Sequence, residues 1–593
     1  MHSRKSWRRT RPRIEHKAKF MVQMHPPVDD SNRASCRVAR WLIVVAVAFS
    51  TGTEPFSTSC DACVCNACVD EPVNKPEQKE EGFTKLNATE LASLVDSFAK
   101  SERIITALKP TVRNSEILYT GASRPNEQKS PWIVLVGMSR EEFERKDSEL
   151  KAERFDLELH ETISLSRQVY HCAVWIQKQL PSVSLTIPEG DLPVSGQLGK
   201  ELTPVNDMLR DVLQKNNLPG VTAAIAVNGK LVYERAFGYA DVDTSTAMLP
   251  ATTMRIASVS KPLTAVAVLL LVQEGKLTLD DTALSWLEKH EQKFDSKSAV
   301  DVDARWSQVT IRHLLNHSAG FDRDKSKDTM FQLVQITRAA GLKAPATIPD
   351  IIRYQLRQPL DFDPGQKFVY SNVGYCLLGR IIEAPTGEPY ADFVRKRILE
   401  PAGMQQTRLG RTRLSELAPD EAHYFRQQRH RYPLVYDVAR GGVDGKIESV
   451  EAPYGLWDIT VMDAHGGWTS TAGDLVRFIA ALENSQTPIL TRESLALMKE
   501  RPILKEAGEP AVWYGMGWSV RDIGNDQLNY WHTGLLDGTS TELVHRWDNI
   551  SWCVLFNCDR NPDEKRSADL VDGPMHLAIH RAIEQGLIRR EEP

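Results

Sequence analysis

The pattern of apolar positions after residue 195 predicts a domain built from both strands and helices. Two β-rich runs flank Asn228-Gly229, a favoured two-residue hairpin turn, within residues 217–238. The segment from Leu263 to Val272 is apolar on all sides, which predicts a buried helix. Pro262 suits the first turn of that helix and Gly275 suits its end.

A shorter unit is predicted at about 83–190. Apolar positions at helical spacing run from Leu86 to Leu108, and Trp132–Gly137 indicates a strand. Ser139-Arg-Glu-Glu is a capping box that opens a charged helix to about Arg154. Alternating segments follow near 155–165 and 168–176, and the prolines at 181, 188 and 193 mark the end of this small α+β module.

The N-terminal 52 residues have the pattern of a targeting segment. A basic region precedes nine apolar residues, Trp41–Phe49, and then the small residues Ser50, Thr51 and Gly52. This order is typical of a secretory signal peptide and predicts export, to the periplasm, the envelope or the medium. The main rival is a transit peptide with a mitochondrial destination, because no acidic residue precedes Glu15. The short apolar core also leaves membrane anchoring at the N-terminus open.

Residues 53–82 form a linker that contains four cysteines, Cys60, Cys63, Cys65 and Cys68. Three interpretations of these four thiols in nine residues stay open. They are a linker without a special role or with disulfides, a metal site, and a lipid anchor on Cys60. The last part, residues 69–82, is charged and contains proline, which is typical of a linker.

Composition narrows the function classes. The 593 residues carry 73 basic and 78 acidic side chains, a net charge of −5. So near a balance does not indicate nucleic-acid binding. Hydrophobic residues are 41% and charged residues 25%, so a wholly disordered chain is excluded. No apolar run reaches the ~20 residues that a membrane-spanning helix needs, which excludes a polytopic membrane protein.

Candidate chemistry begins with Ser258 and Lys261, an S-x-x-K pair at the mouth of the predicted buried helix. Residues three apart share a helix face. Desolvation and the helix dipole both disfavour the ammonium form, so the pKa of Lys261 is expected to fall and leave a neutral amine that activates the serine. The pairs Ser97/Lys100 and Ser148/Lys151 have the same spacing, but they lie on charged amphipathic helices and are interpreted as solvated pairs.

Two further motifs follow in order along the chain. Tyr370-Ser-Asn372 is its only Y-x-N and precedes an amphipathic helix, and His532-Thr-Gly534 follows an apparent strand end near Tyr530. The order S-x-x-K, Y-x-N, H-x-G over about 280 residues resembles the serine β-lactamase and penicillin-binding superfamily. The class C and D-alanyl-D-alanine carboxypeptidase branch fits best, and within it the serine β-lactamase-like hydrolases that include a mitochondrial member.

This resemblance implies an α/β (α+β) domain over 195–590, with an antiparallel sheet flanked by helices and an inserted helical subdomain. The N-terminal hairpin and strands near 515–520, 527–533, 540–547 and 551–557 would form the sheet. Ser258 would be the acylated nucleophile and Lys261 its base. Tyr370, with its pKa depressed by the lysine, would share the proton transfer. Asn372 would orient the substrate amide, and the N–H groups of Ser258 and Leu535 beside Gly534 would form an oxyanion hole, in which one donor is worth ~3–4 kcal/mol.

One departure from the family pattern concerns the substrate. Penicillin-recognising members usually have Lys where this chain has His532, so a permanent cation is replaced by a group expected to titrate near neutral pH. Tight binding of a β-lactam or D-Ala-D-Ala carboxylate is therefore not expected, and bulky Leu535 is expected to narrow the oxyanion side of the pocket. His317 is interpreted as a capping or core histidine, and Cys376, Cys553 and Cys558 as buried thiols.

Three functions are compatible with these residues. The favoured one is a serine hydrolase of a small ester or peptide substrate, an esterase or peptidase rather than an efficient β-lactamase, with no cofactor, no metal and no nucleic-acid partner. The alternative is a non-catalytic binding or scaffolding protein that keeps the fold. A third is a metal-dependent protein that uses Cys60–Cys68. The oligomeric state stays open.

Overall fold

A computed structural model describes residues 80–589 except 102, 127–129, 131, 153–154, 178–181, 197–200, 290–301, 343–344, 440–447, 485, 487 and 507–510. The predicted targeting segment 1–52 and the Cys60–Cys68 cluster lie outside the described residues. In the described ranges, no helix has both the length and the hydropathy that a membrane span requires. The chain divides into two compact units, Met1–Gln179 and Leu180–Pro593.

In its described residues, the first unit contains two three-stranded antiparallel sheets and two helices. One sheet has the order Glu81–Leu86, Glu116–Pro125, Arg103–Arg113, and the other Trp132–Met138, Gln168–Gln177, Phe155–Leu165. The helices are Ala88–Lys100 and Arg140–Ala152. The predicted capping box is confirmed, since the Ser139 hydroxyl accepts from the Glu142 N–H and the Glu142 carboxylate accepts from the Ser139 N–H.

The helix expected from Leu86 to Leu108 is wrong in its second half. It ends at Lys100, and a strand begins at Arg103. In that strand Ile104, Ile105 and Leu108 are buried. Their apolar spacing also suits a helix, and only the pairing with Glu116–Pro125 selects the strand.

The division between the units comes before the predicted boundary at 190. Strand Ser182–Ser184 pairs with Gln428–Pro433 of the second unit, and Leu185 is buried in that unit's core. The expected start of the second domain at 195 is therefore preceded by a segment that already belongs to it.

The second unit is organised around a nine-stranded antiparallel sheet. The predicted hairpin is confirmed: Gly220–Val227 and Lys230–Asp241 flank Asn228 and Gly229, which have φ of 48° and 73°. The sheet continues from Gly220–Val227 through Ile550–Phe556, Thr539–His545, Leu528–Leu536, Ser519–Asp522 and Val512–Tyr514, and Lys230–Asp241 also pairs with Thr246–Ala247 and Val194–Ser195. N-terminal and C-terminal strands thus lie side by side, as the resemblance implies.

Two strand predictions need correction. In the segment expected to be one strand near 515–520, residues 515–518 form a turn that follows Val512–Tyr514, with φ 84° at Gly517, and the strand Ser519–Asp522 begins only after it. The H-x-G motif, expected near a strand end, lies inside the strand Leu528–Leu536. The strand extends this far because Thr539–His545 pairs with it through Leu536.

Both faces of the sheet are covered by helices. Along Gly220–Val227, Val221, Ala223 and Ile225 pack with helices Thr203–Lys215 and Asp572–Glu584, while Ala224 and Ala226 point into a larger core on the other face. Because successive side chains of a strand point to opposite faces of the sheet, this strand is buried on both faces.

The larger core holds the helical part of the unit. Its central helix Ser260–Gln273 is buried around its circumference and is followed by Gly275 at φ 65°, as predicted. Within the described part of this region, the other helices are Ala283–Lys289, Ile311–Leu315, Leu333–Ala339, Ile348–Leu356, Asn372–Thr386, Tyr390–Val394, Glu400–Ala402, Val435–Ala439, Ala472–Glu483 and Arg492–Lys499. Short strands also connect this region: Met254–Arg255 and Arg408–Leu409 pair with Trp468–Ser470, and Ser449–Glu451 pairs with Gln428–Pro433. The predicted mixed α/β architecture with an inserted helical part is confirmed.

Candidate active site

Ser258 lies in a 3-10 turn, Ala257–Val259, that leads directly into the buried helix Ser260–Gln273. Ala257 has φ 47°, a left-handed conformation that L side chains rarely adopt. The chain before it is held on both sides, because Thr541 Oγ1 donates to the Ile256 carbonyl (3.0 Å) and the Ile256 N–H donates to the Trp468 carbonyl (2.9 Å). Such local strain persists where the surroundings fix the backbone, and it is common at active sites.

Lys261 is fully buried, and its amine has three neighbours. Nζ lies 2.8 Å from Asn372 Oδ1, 3.0 Å from the His465 carbonyl oxygen and 3.0 Å from Ser258 Oγ. Burial lowers the pKa of Lys261 well below its usual value, as predicted. A neutral amine donates its two hydrogens to the two acceptor-only oxygens, which leaves its lone pair facing the Ser258 hydroxyl. This is the geometry of a base beside a nucleophile.

Asn372 is oriented by Asp328, a residue that the motif search missed. One carboxylate oxygen of Asp328 accepts from the Asn372 backbone N–H (3.0 Å) and from Nδ2 (2.9 Å). The amide oxygen therefore faces Lys261. The negative charge of Asp328 also raises the pKa of Lys261, against the larger lowering by burial.

Tyr370 stands next to the same two groups. Its hydroxyl hydrogen-bonds with Ser258, and the centre of its ring lies 4.7 Å from Lys261 Nζ. The expected depression of its pKa is wrong. Burial raises the pKa of Tyr370 above its usual value, and this outweighs the lowering by the bond to Ser258 and by the charge of Arg323. A raised pKa keeps Tyr370 a phenol at neutral pH.

His317 packs against Tyr370 in a cluster of rings. Its ring centre lies 4.4 Å from that of Tyr370 and 4.5 Å from that of Tyr514. Nδ1 accepts from the Ser371 N–H (3.2 Å), which fixes the Y-x-N segment. Burial lowers the pKa of His317 well below its usual value. The interpretation as a core histidine is confirmed, and the structure adds that this core is the wall of the site.

His532 is also buried and neutral. Its Nδ1 lies 2.7 Å from the Thr533 carbonyl oxygen, to which it donates, so Nε2 accepts from the Tyr514 hydroxyl at 2.9 Å. Burial lowers the pKa of His532 to about 3. The expectation that this group titrates near neutral pH is wrong, because a buried imidazolium loses its hydration and gives up its proton far more readily than one in water.

Gly534 allows the strand Leu528–Leu536 to approach the 3-10 turn Ala257–Val259, which holds Ser258 and is called the serine turn below. A Cβ at this position would lie 2.2 Å from the Ile256 carbonyl oxygen and 2.3 Å from Thr541 Oγ1. Leu535 pairs with Ser540 next to a two-residue turn closed by Leu536 and Thr539. This is a non-hydrogen-bonded pair, so the Leu535 N–H points away from the neighbouring strand toward the open edge.

The remaining predictions about side chains concern residues away from this cluster. Cys376, Cys553 and Cys558 are buried thiols, as predicted, and Cys172 is buried too. Ser97, Ser148 and Lys151 are exposed, and Lys151 pairs with Asp147 (2.7 Å), which agrees with the solvated interpretation of the Ser148/Lys151 pair; the side chain of Lys100 lies outside the described residues. Ser258, Lys261, Tyr370 and Asn372 thus come together, with Gly534 beside the serine turn and His532 beside Tyr514.

Comparisons with known proteins concern the second unit. A family model described as Beta-lactamase matches residues 205–573, more than half of the chain. Penicillin-binding protein 4* of Bacillus subtilis is 30% identical over 366 residues, which cover 61% of this chain and 73% of that protein. Protein flp of Staphylococcus aureus is 28% identical over 356 residues, which cover 60% of this chain and 62% of that protein, so the chain spans less than two thirds of its length.

Solved structures also match this chain. The octameric penicillin-binding protein homologue from Pyrococcus abyssi is 23% identical, with a TM-score of 0.47, over 65% of this chain and 78% of that chain. The D-amino acid amidase from Ochrobactrum anthropi SV3 is 26% identical, with a TM-score of 0.49, over 65% of this chain and 99% of that chain. The family match itself includes Ser258, Tyr370 and His532.

Proposed function

Because the chain belongs to the beta-lactamase family, we propose that it is a serine hydrolase that forms an acyl-enzyme on Ser258 and hydrolyses an ester or a peptide amide. The observation that carries the proposal is the 3.0 Å distance between Ser258 Oγ and the buried Lys261 Nζ. A buried lysine with a lowered pKa beside a hydroxyl has a clear use in nucleophilic catalysis.

Acylation begins when Lys261 Nζ takes the proton of Ser258 as Oγ attacks the substrate carbonyl carbon. The C–O bond to Ser258 forms and the carbonyl oxygen becomes an oxyanion. When the oxyanion collapses, the bond to the leaving group breaks. Tyr370, held protonated by burial, donates its proton to the leaving group and is reprotonated from the Lys261 ammonium.

Deacylation repeats these steps with water. The Lys261–Tyr370 pair takes a proton from water, the hydroxide adds to the acyl carbon, and Ser258 leaves with the proton returned to it. In both steps the N–H groups of Ser258 and Leu535 stabilise the oxyanion, and each donor contributes about 3–4 kcal/mol. Asn372 orients the substrate amide with the Nδ2 hydrogen that it does not donate to Asp328.

The substrate proposed is an ester or peptide amide rather than a β-lactam. A cation on the H-x-G strand would hold a carboxylate placed there, and this chain has a neutral His532 in that position. A substrate whose binding depends on a charged group at that strand therefore loses a charge-assisted hydrogen bond. Export and N-terminal anchoring remain proposals that rest on residues 1–52 alone.

The test is intact mass after treatment of the whole chain with a fluorophosphonate, together with hydrolysis of 4-nitrophenyl acetate. The variants are Ser258→Ala and, as a matched control, Ser148→Ala from another S-x-x-K pair. We expect one adduct on the wild type and on Ser148→Ala, none on Ser258→Ala, and a loss of kcat/KM by several orders of magnitude in Ser258→Ala alone.

Circular dichroism and thermal melting check that Ser258→Ala is folded. If the folded wild type forms no adduct and hydrolyses neither small esters nor peptide amides, the proposal is wrong. The alternative, a binding protein that keeps the fold, then takes its place.

A further inference from the structure

Arg323 and Lys327 are the two cations of the loop after Gly320 that have no acidic partner among the described residues. The loop after Gly320 carries Asp322, Arg323, Asp324 and Lys325. Asp322 pairs with Lys367 (3.3 Å) and Lys325 pairs with Asp361 (3.5 Å). The guanidinium of Arg323 is exposed and takes part in no such pair in the described part of the chain. Its charge is therefore available to a ligand.

The position of this guanidinium is next to the catalytic groups. Its central carbon lies 5.4 Å from the ring centre of Tyr370, whose hydroxyl contacts Ser258. The positive charge of Arg323 also lowers the pKa of Lys261 and of His317, in each case less than burial does. A charge that reaches these buried groups also acts on a substrate bound between them.

The loop that carries Arg323 is held in place. The Asp361 carboxylate accepts from the Asp322 N–H (2.9 Å) and from the Ser326 hydroxyl (2.7 Å), and the Gly320 carbonyl accepts from the Asp361 N–H (2.8 Å). A Cβ at Gly320 would lie 2.7 Å from the Phe362 carbonyl oxygen. A fixed backbone limits the directions from which Arg323 meets a ligand, and this favours a defined subsite.

Resting on the proposed hydrolase activity, we propose that Arg323 binds a carboxylate of the substrate, so that the enzyme prefers acyl substrates that carry a negative charge. The anion is held on the Tyr370 side of Ser258 and not at the H-x-G strand, where His532 is neutral. A guanidinium is suited to this role because its planar fork forms two parallel hydrogen bonds with a carboxylate.

Two substrate pairs test this subsite in the whole chain. Mono-4-nitrophenyl adipate and its methyl ester differ by a carboxylate on the acyl side. 3-Carboxyphenyl butyrate and its methyl ester differ by a carboxylate on the leaving group. For each pair the ratio of kcat/KM for the acid to that for the ester is measured. The ratio is used because Arg323 also lowers the pKa of Lys261, an effect common to both members of a pair.

In the wild type we expect the acid of at least one pair to be preferred. Arg323→Gln should lower that ratio about tenfold, the size of one charge-assisted hydrogen bond. Arg323→Lys, which keeps the charge and loses the fork, should lower it less. The control is Arg210→Gln, which removes a positive charge from the exposed face of helix Thr203–Lys215. It should leave both ratios unchanged.

If Arg323→Gln leaves the ratios of both pairs unchanged while the wild type hydrolyses the neutral esters through Ser258, the subsite is overturned and the hydrolase proposal stands. If Ser258→Ala hydrolyses the neutral esters as fast as the wild type, the hydrolase proposal itself fails. If the preference for the acid over the ester falls equally in Arg323→Gln and Arg210→Gln, it comes from the overall charge of the protein and not from contact with Arg323. This result would also overturn the subsite.

Discussion

At the scale of single residues, burial decides which proton each group of the site carries. Lys261, Tyr370 and His532 all depart from their usual pKa in the direction of the neutral form. Desolvation is the largest cause for each of the three, since a charge loses its hydration in the interior. Burial therefore favours the neutral form of all three groups, beside the charges of Asp328 and Arg323.

Asp328→Asn tests the balance around Lys261. The variant keeps an acceptor for Asn372 and removes the charge that raises the pKa of Lys261. The pKa of Lys261 should therefore fall further, and the acid limb of the pH profile of kcat/KM should move to lower pH. Arg323→Gln should move the same limb to higher pH, because the charge of Arg323 lowers that pKa.

The measurement is kcat/KM for 4-nitrophenyl acetate across the pH range in which both variants remain folded. A shift of both variants in the same direction would contradict the electrostatic explanation. Loss of activity without any shift would show that Asp328 acts only by positioning Asn372.

Glu542 is a second buried group with an altered protonation state. It lies on the strand Thr539–His545 with 3% of its surface exposed, and its Oε2 has no hydrogen-bond partner among the described residues. Burial raises the pKa of Glu542 well above its usual 4.5, and the charges of Asp572 and Asp569 raise it further. A raised folded pKa gives stability that is present below the unfolded pKa and is lost as the pH rises through the folded value.

Glu542→Gln should therefore raise the free energy of unfolding at pH 8 by about 1–3 kcal/mol and leave it little changed near pH 4. Urea denaturation at both pH values measures this. The control is Glu584→Gln at the exposed end of helix Asp572–Glu584. Equal effects of Glu542→Gln at both pH values would contradict ionisation as the cause.

At the scale of elements, the site depends on how closely a strand passes the serine turn. Leu528–Leu536 reaches the Ile256 carbonyl because position 534 has no Cβ. On the other side, the Asn372–Thr386 helix brings Asn372 to Lys261, with the Ser371 hydroxyl accepting from the Gly374 N–H at its start. The catalytic cluster is thus the meeting point of two helix starts and one strand.

Gly534→Ala should displace this strand from the serine turn. The added Cβ would lie 2.2 Å from a backbone oxygen, so the backbone must move. Displacement of the Leu535 N–H by about 1 Å is expected to lower kcat about 100-fold. Gly573→Ala is the control, because no atom lies within 4 Å of a Cβ there. Steady-state kinetics compare the two, and equal activity in both variants would contradict the close approach.

At the scale of the whole molecule, the chain consists of two compact units. The first has cores of its own that include Trp132, Val134 and Trp175, and the second buries both faces of its sheet. The described residues of the proposed catalytic cluster all belong to the second unit.

Residues 180–593 produced alone should therefore fold and hydrolyse 4-nitrophenyl acetate with a kcat/KM within about twofold of that of the whole chain. Melting curves and steady-state kinetics on both proteins provide the comparison. A fragment that melts cooperatively but is inactive would show that the first unit contributes to the reaction.

The sequence by itself determined the features that rest on local order. The Asn228-Gly229 hairpin, the Ser139 capping box, the buried helix after Ser258 and the fall of the Lys261 pKa all follow from residue type and short spacing. The three motifs also identified the family, because their order along the chain is specific even though each motif alone is weak.

Only the tertiary structure decided what depends on distant residues. The strand Arg103–Arg113 was chosen over a helix by pairing across the sheet. The pKa of Tyr370 rose and that of His532 fell to about 3 because other elements cover both groups. Asp328, His465 and Arg323 lie far along the chain from Lys261 or Tyr370 and carry no motif, so no spacing indicated them. Local spacing determines an element, whereas the dielectric and the charges around a side chain are set by the residues that folding brings to it.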